Sequence, residues 1–256
     1  MKSYYVIDYC AVRCFIDIKV NDVFILSLNV DGQVATIMPI NNAILETGMQ
    51  QVSYTIRPLL GDDNLQNNAS FNASVWLYDV NGDSIEEIEE INSFSLPELT
   101  KDSPLPIYED NKYFYADVPY MLNAWQNSVD LSKIKNLREL VDYSYKKIEN
   151  YIANAQYEKF NDMIQQREDN VATCMYFSEE RKNQRKNRFI DLMSTGLYVV
   201  PVSEQDNMVI FGHNKLVTLK KKDGASALLL RNSVGEEMNL VLFLHLQQGQ
   251  NELSVI

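Results

Sequence analysis

The sequence predicts a two-domain chain, an all-β sandwich followed by an α+β domain, on three observations. The 256 residues exceed the roughly 150 of an average domain. Short apolar alternations fill the chain as far as Tyr78, whereas apolar steps of three and four begin only after Ser132. Composition is that of an ordinary globular protein, with 46% hydrophobic and 23% charged residues and only 9 Gly and 7 Pro, which excludes a fibrous or low-complexity chain.

The strands come first. Phe24, Leu26, Leu28 and Val30 alternate with Ile25, Ser27 and Asn29, and Asp31-Gly32 then reads as a positive-φ hairpin turn into Val34 to Ile37. Pro39-Ile40-Asn41 and Thr47-Gly48 frame a loop before a strand from Gln51 to Arg57. Phe71 to Tyr78 alternates again before Asn81-Gly82. Strands and turns at these intervals predict two packed sheets, an immunoglobulin-like (Ig-like) sandwich over residues 1–96. Pro97, Pro104, Pro106 and Pro119 then break both periods, so 97–130 reads as a connector. Its Tyr108, Tyr113, Phe114, Tyr115, Tyr120 and Trp125 are too aromatic for a loose tether, and it is expected to pack against a domain.

The domain over 131–256 opens on Ser132 as a helix N-cap, followed by Leu137, Leu140, Val141, Tyr145, Ile148 and Ile152 on one stripe and Asn154 as the stop. A second helix carries Tyr157, Phe160, Met163 and Ile164. A third runs from Ser178 to Gly196, a C′ glycine. Tyr198 to Val202, Met208 to Phe211, Lys215 to Lys221, Ala227 to Arg231 and Met238 to Leu246 read as an antiparallel sheet, with Asp223-Gly224 as a hairpin turn. Three helices followed by a sheet are therefore expected.

Charge divides unevenly. Residues 1–130 hold 19 acidic and 6 basic side chains, a net −13, and 131–256 hold 16 and 17, a net +1, for −12 overall. That balance makes nucleic acid an unlikely general partner. It suits either a solvated acidic surface or a face that steers a basic protein. No secretory signal is expected, because Asp8 and Arg13 interrupt the opening segment, and no apolar run approaches the roughly 18 residues of a membrane span. Cys10 and Cys14 lie on one strand about 13 Å apart, too far for a disulfide. Cys174 reads as a buried small hydrophobe. A cytoplasmic, reduced protein with no membrane partner is the expectation.

Candidate sites are few. Asp79 to Glu90 places oxygen ligands as in a calcium loop, but Ser84 stands where that loop needs glycine and Val75 to Tyr78 is strand-like, so an Asn-Gly turn into an acidic segment is the better reading. Trp76, Tyr78, Asp79, Asp83, Glu86, Glu87, Glu89 and Glu90 form the predicted partner-binding segment, with carboxylates for Lys and Arg and aromatic anchors beside them. Arg181, Arg185 and Arg188 make a basic stripe at i, i+4, i+7, suited to solvent, to docking against the acidic N-terminal domain or an acidic partner, or to phosphate or RNA. His213 belongs to a turn and His245 to an apolar strand, and neither has metal-ligand spacing to another His or Cys. Nucleophile elbows, P-loops and dinucleotide-binding glycines are absent from the sequence, so no catalytic residue, cofactor or metal is predicted.

Three helices followed by antiparallel strands is similar in element order to the cone-shaped NTF2-like proteins, without their catalytic residues at matched positions. The whole profile also resembles the small acidic immunity proteins with which bacteria neutralise secreted antibacterial toxins. That resemblance implies a non-enzymatic protein that covers the active surface of a basic toxin domain. An adaptor or structural module is an alternative. So is a small-ligand binder or enzyme with a pocket near Tyr198, His213 or His245.

Overall fold

The computed structural model describes residues 1–82, 84–100, 105–194 and 196–256. It has two compact units: residues 1–122 with 174–176, and residues 123–173 with 177–256. The first is built on a long strand, β1 (Ser3–Val20), that turns through Asn21 and Asp22, both in the left-handed region, into β2 (Val23–Pro39). Four more strands follow: β3 (Gly48–Arg57), β4 (Ser70–Asn81), β5 (Ser84–Ser95) and β6 (Tyr108–Ala116).

All six join one antiparallel sheet, ordered β5-β4-β1-β3-β6 with β2 also on β1. A strand has two hydrogen-bonding edges. β2 lines one edge of β1, and the other is shared end to end, by β4 over Ser3–Val12 and by β3 over Phe15–Val20. The division falls at Arg13, whose φ of 48° marks a bulge where the β2 register also shifts. The sheet curls into a half-barrel whose hollow is filled by Tyr54 stacked on Phe94 at 4.6 Å, with Phe71 beside both.

Three expectations for this half are corrected. There is one curved sheet, not a pair of packed sheets as in an Ig-like sandwich, because β1 is long enough to be common to both groups of strands. Asp31-Gly32 is not a hairpin turn: Gly32 lacks left-handed backbone, and β1 runs alongside β2 on both sides of it. The hairpin is made at Asn21-Asp22 instead. Residues 97–130 are more than a connector, since they supply β6 and the boundary between the units follows Leu122; Pro104 lies outside the described residues.

Asn41, fully buried, ties this unit together. Its carbonyl oxygen Oδ1 accepts from Tyr5 N–H at 2.7 Å, and its amide donates to the carbonyls of Ser3 at 2.9 Å and Cys174 at 3.1 Å. Tyr176 Oη–H also donates to Ser3, and Tyr120 Oη–H to the Asn41 carbonyl. Only an amide side chain both donates and accepts in this way.

The second unit holds four helices, α1 (Leu137–Ala153), α2 (Tyr157–Met163), α3 (Gln165–Cys174) and α4 (Glu179–Ser194), though the end of α3 at Cys174 belongs to the first unit. The stripe of α1 packs Val141, Tyr145, Ile148 and Ile152 into a core with Phe160, Leu219, Leu228 and Leu244. Ser132 is not the N-cap of α1; it sits in a short 3-10 turn and receives the Asp130 carboxylate on its own N–H. Asn154 closes α1 as predicted and Ser178 caps α4, accepting from Arg181 N–H. Three helices were expected and four are described, because the helical stretch before Cys174 is a separate helix, α3, QQREDNVATC, with no apolar stripe to mark it off.

Seven short strands follow: β7 (Tyr198–Val200), β8 (Asn207–Phe211), β9 (Leu216–Lys220), β10 (Leu229–Arg231), β11 (Glu237–Asn239), β12 (Leu244–His245) and β13 (Ser254–Val255). They form two antiparallel sheets, β11-β10-β7 and β13-β12-β9-β8, where one was expected, and the predicted strand Met238 to Leu246 is split between them. Asp223-Gly224 does turn the chain, with Gly224 at φ 86° and Lys221 N–H bonded to the Ala225 carbonyl.

Replacing Asn41 with Ala leaves Tyr5 N–H and the Cys174 carbonyl buried without this partner and is expected to cost about 3 kcal/mol in urea unfolding. Asn41→Asp does not rescue, because a carboxylate has no hydrogen to donate.

Candidate protein-binding face

The predicted partner-binding segment forms the hairpin of β4 and β5, turned at Asn81-Gly82 with Gly82 at φ 64°. Alternation along β4 buries Phe71, Ala73, Val75 and Leu77 in the half-barrel and puts Ser74, Trp76 and Tyr78 on the opposite, outer face. The pairing partners of Trp76 and Tyr78 on β5 are Glu90 and Glu87, and on β1 they are Val6 and Tyr4. Tyr78 Oη–H donates to Glu87 at 3.3 Å and Ser74 Oγ–H to Glu90 at 3.2 Å.

The four glutamates therefore do not act as one cluster. Glu86 pairs with Asp79 and Glu89 with Leu77, which turns them toward the other face, where the charge of Glu89 reaches the buried Tyr5 phenol. Asp79 is engaged by the Lys2 backbone N–H at 2.7 Å. Asp83 lies outside the described residues. Two bulges in β5, at Ile88 and Ile91, set this division, and Ile85 and Ile88 are left 57% and 49% exposed among the carboxylates.

The outer face extends further than the sequence reading foresaw. Asp8 on β1 lies opposite Ser74, and Cys10 opposite Asn72. With Ser93 and Ser95 these small polar side chains line an open depression of about 470 Å³. Burial, together with the negative charges of Glu87 and Asp8, raises the Tyr78 phenol above its ordinary value, which places Asp8 and Glu87 in one electrostatic neighbourhood. The period-two alternation of β1 and β4 was the available signal; the register that juxtaposes Asp8 with Trp76 and Tyr78 was not in the sequence.

The basic stripe on α4 is largely consumed within its own unit. Arg185 binds Glu168 through Nε at 3.1 Å and Nη2 at 3.0 Å, Lys182 pairs with Asp169 and Lys186 with Glu158. Arg181 lies over the Phe177 ring at 4.4 Å. Arg188 is exposed and makes none of the described ion pairs.

Among the described residues, no group of three or more His, Cys, Asp or Glu is placed to hold a metal ion. All three cysteines are free, and burial pushes Cys14 and Cys174 up to about 11 and about 12, so both remain thiols. His213 sits in a run of left-handed residues from Gly212 to Asn214, and Tyr198 is exposed at the start of β7. His245 is buried, its Nδ1 bonded to Ser128 Oγ at 2.7 Å and its Nε2 without a partner. This Ser–His pair has neither an orienting carboxylate on the second nitrogen nor an opening for a substrate. No described helix is long and apolar enough to cross a membrane.

Comparison with known proteins finds no match: no family model, no curated protein and no solved structure is significantly similar to the chain.

Burial lowers the His245 imidazole to about 4 from its ordinary 6.5. Between those values the unfolded chain takes up a proton that the folded chain refuses, so stability falls as pH drops through the window, by about 2 kcal/mol on reaching pH 5 and about 3 kcal/mol in all. Denaturant unfolding at about pH 7.5 and about pH 5 is expected to show this extra loss in the wild type and not in His245→Gln; equal losses would remove His245 as the cause.

Proposed function

We propose that the chain is a non-catalytic binding protein that holds a basic surface of a protein partner against the outer face of β1, β4 and β5. The observation that carries this reading is the alignment of Trp76 and Tyr78 with Glu87, Glu90 and Asp8 on one solvent-facing side of the sheet. Aromatic anchors on a rigid sheet supply contact area at small entropic cost, and the surrounding carboxylates select Lys and Arg and accelerate encounter. The same carboxylates repel phosphate, which disfavours nucleic acid as the occupant.

An immunity protein that neutralises an antibacterial toxin by covering its active surface fits this chemistry. A toxin domain with a basic cleft presents the charges this face complements. Such an encounter would take place in the reducing cytoplasm, where the three free thiols persist.

Co-purification from native cells is expected to recover a stoichiometric basic protein partner. With that partner in hand, the two faces of β5 give an internally controlled test, since each double variant removes the same formal charge. E87Q/E90Q is expected to slow association about tenfold at low salt and to flatten its salt dependence. E86Q/E89Q is expected to change it much less. Equal effects of the two pairs would reject the outer face as the contact surface.

A further inference from the structure

Among the described residues, three strands of the half-barrel end its hydrogen-bonding order with a backbone edge that no strand pairs: β5, β6 and β2. An unpaired edge is a template for another strand, and proteins normally guard it with charge, bulges or proline. β5 is guarded by Glu86, Glu87, Glu89 and Glu90 and by two bulges. β6 carries Glu109, Asp110 and Lys112.

β2 is not guarded. Its seventeen residues contain a single charge, Asp31, which Arg13 faces at 3.4 Å. From Gln33 to Pro39 it pairs with β1 in unbroken register, so its backbone alternates regularly between β1 and the free edge. Gln33, Ala35, Thr36 and Ile37 are exposed, Ile37 to 52%, and Pro39 enters only at the strand's end.

We infer that β2 is a self-association edge, on which a second copy of this chain adds its own β2 antiparallel, around Gln33 to Ile37, to continue the sheet from one protomer into the next. Electrostatics selects the occupant. Two copies with a net charge of −12 repel each other over most approaches. Along residues 32–45, where no side chain is charged, two backbones can meet without carboxylate facing carboxylate. A basic partner gains nothing from an uncharged edge, whereas an antiparallel strand edge is complementary to itself and closes as a two-fold dimer. This inference does not rest on the proposed partner face.

Sedimentation equilibrium of the full chain is the test. The wild type is expected to pass from 29.5 kDa toward twice that mass as concentration rises, and to do so more readily as salt screens the repulsion. Ile37→Lys and Ile37→Glu each set like charges across the two-fold axis, and both are expected to weaken the dimer at least about tenfold at low salt. Hydrogen exchange on the unmodified protein should show the alternate amides of residues 32–38 that face away from β1 slowing with concentration, a readout that needs no variant. A strict monomer at every concentration and salt, or a dimer with those amides unprotected, would overturn the inference. So would protection of that edge only by a different protein.

Discussion

The first unit depends on the fact that one strand offers two hydrogen-bonding edges and β1 has three partners. Because β2 occupies one edge from Val6 to Val20, β4 and β3 must divide the other, and they can do so only if β1 is long and changes course between them. Arg13 is the point of division. Its left-handed backbone is costly for a residue with a side chain, of order 1 kcal/mol or more. That cost is outweighed by the pairing it permits and by the burial of Cys14, Phe15 and Ile16 immediately after it. Curvature of the sheet follows, and Tyr54, Phe71 and Phe94 can meet only because of that curvature.

The same constraint positions the outer face. Once β4 lies against residues 3–12 of β1, Asp8 falls opposite Ser74, and Trp76 and Tyr78 stand in rows with β1 on one side and β5 on the other. The two bulges in β5 then decide which glutamates join the aromatic rings. The acidic character of the segment is a property of composition, but the separation of Glu87 and Glu90 from Glu86 and Glu89 belongs to the register.

Local chemistry was readable from the sequence and long-range pairing was not. The Asn81-Gly82 and Asp223-Gly224 turns, the stripe of α1, the Asn154 stop and the Ser178 cap each follow from a few adjacent residues. Asp31-Gly32 has turn chemistry too, yet β1 reaches past it and holds β2 extended, so tertiary pairing overrode local preference. Whether six strands make one curved sheet or two flat ones depends on which strand they share, and alternation carries no information on that. α3 was not separable from the helix before it because its side chains are mostly polar and form no apolar stripe, and its carboxylates pair with Lys182 and Arg185 of α4, whose basic cluster looked free when read alone.

Asn41 shows the limit most sharply. In sequence it is one of several loop asparagines after a proline, with nothing to distinguish it from Asn42. In the fold it is the buried group that satisfies both a donor and two acceptors, on segments 36 and more than 130 residues away. A polar group in such a place is tolerated only when its bonds are complete, so it constrains the first strand, the loop carrying Tyr120 and the Cys174 backbone more tightly than apolar contacts of equal area. Hydrophobic packing can slide by a fraction of an ångström at little cost, but this amide cannot. Asn41 thus adds a side-chain constraint on the start of β1, the strand whose register with β4 juxtaposes Asp8, Trp76 and Tyr78.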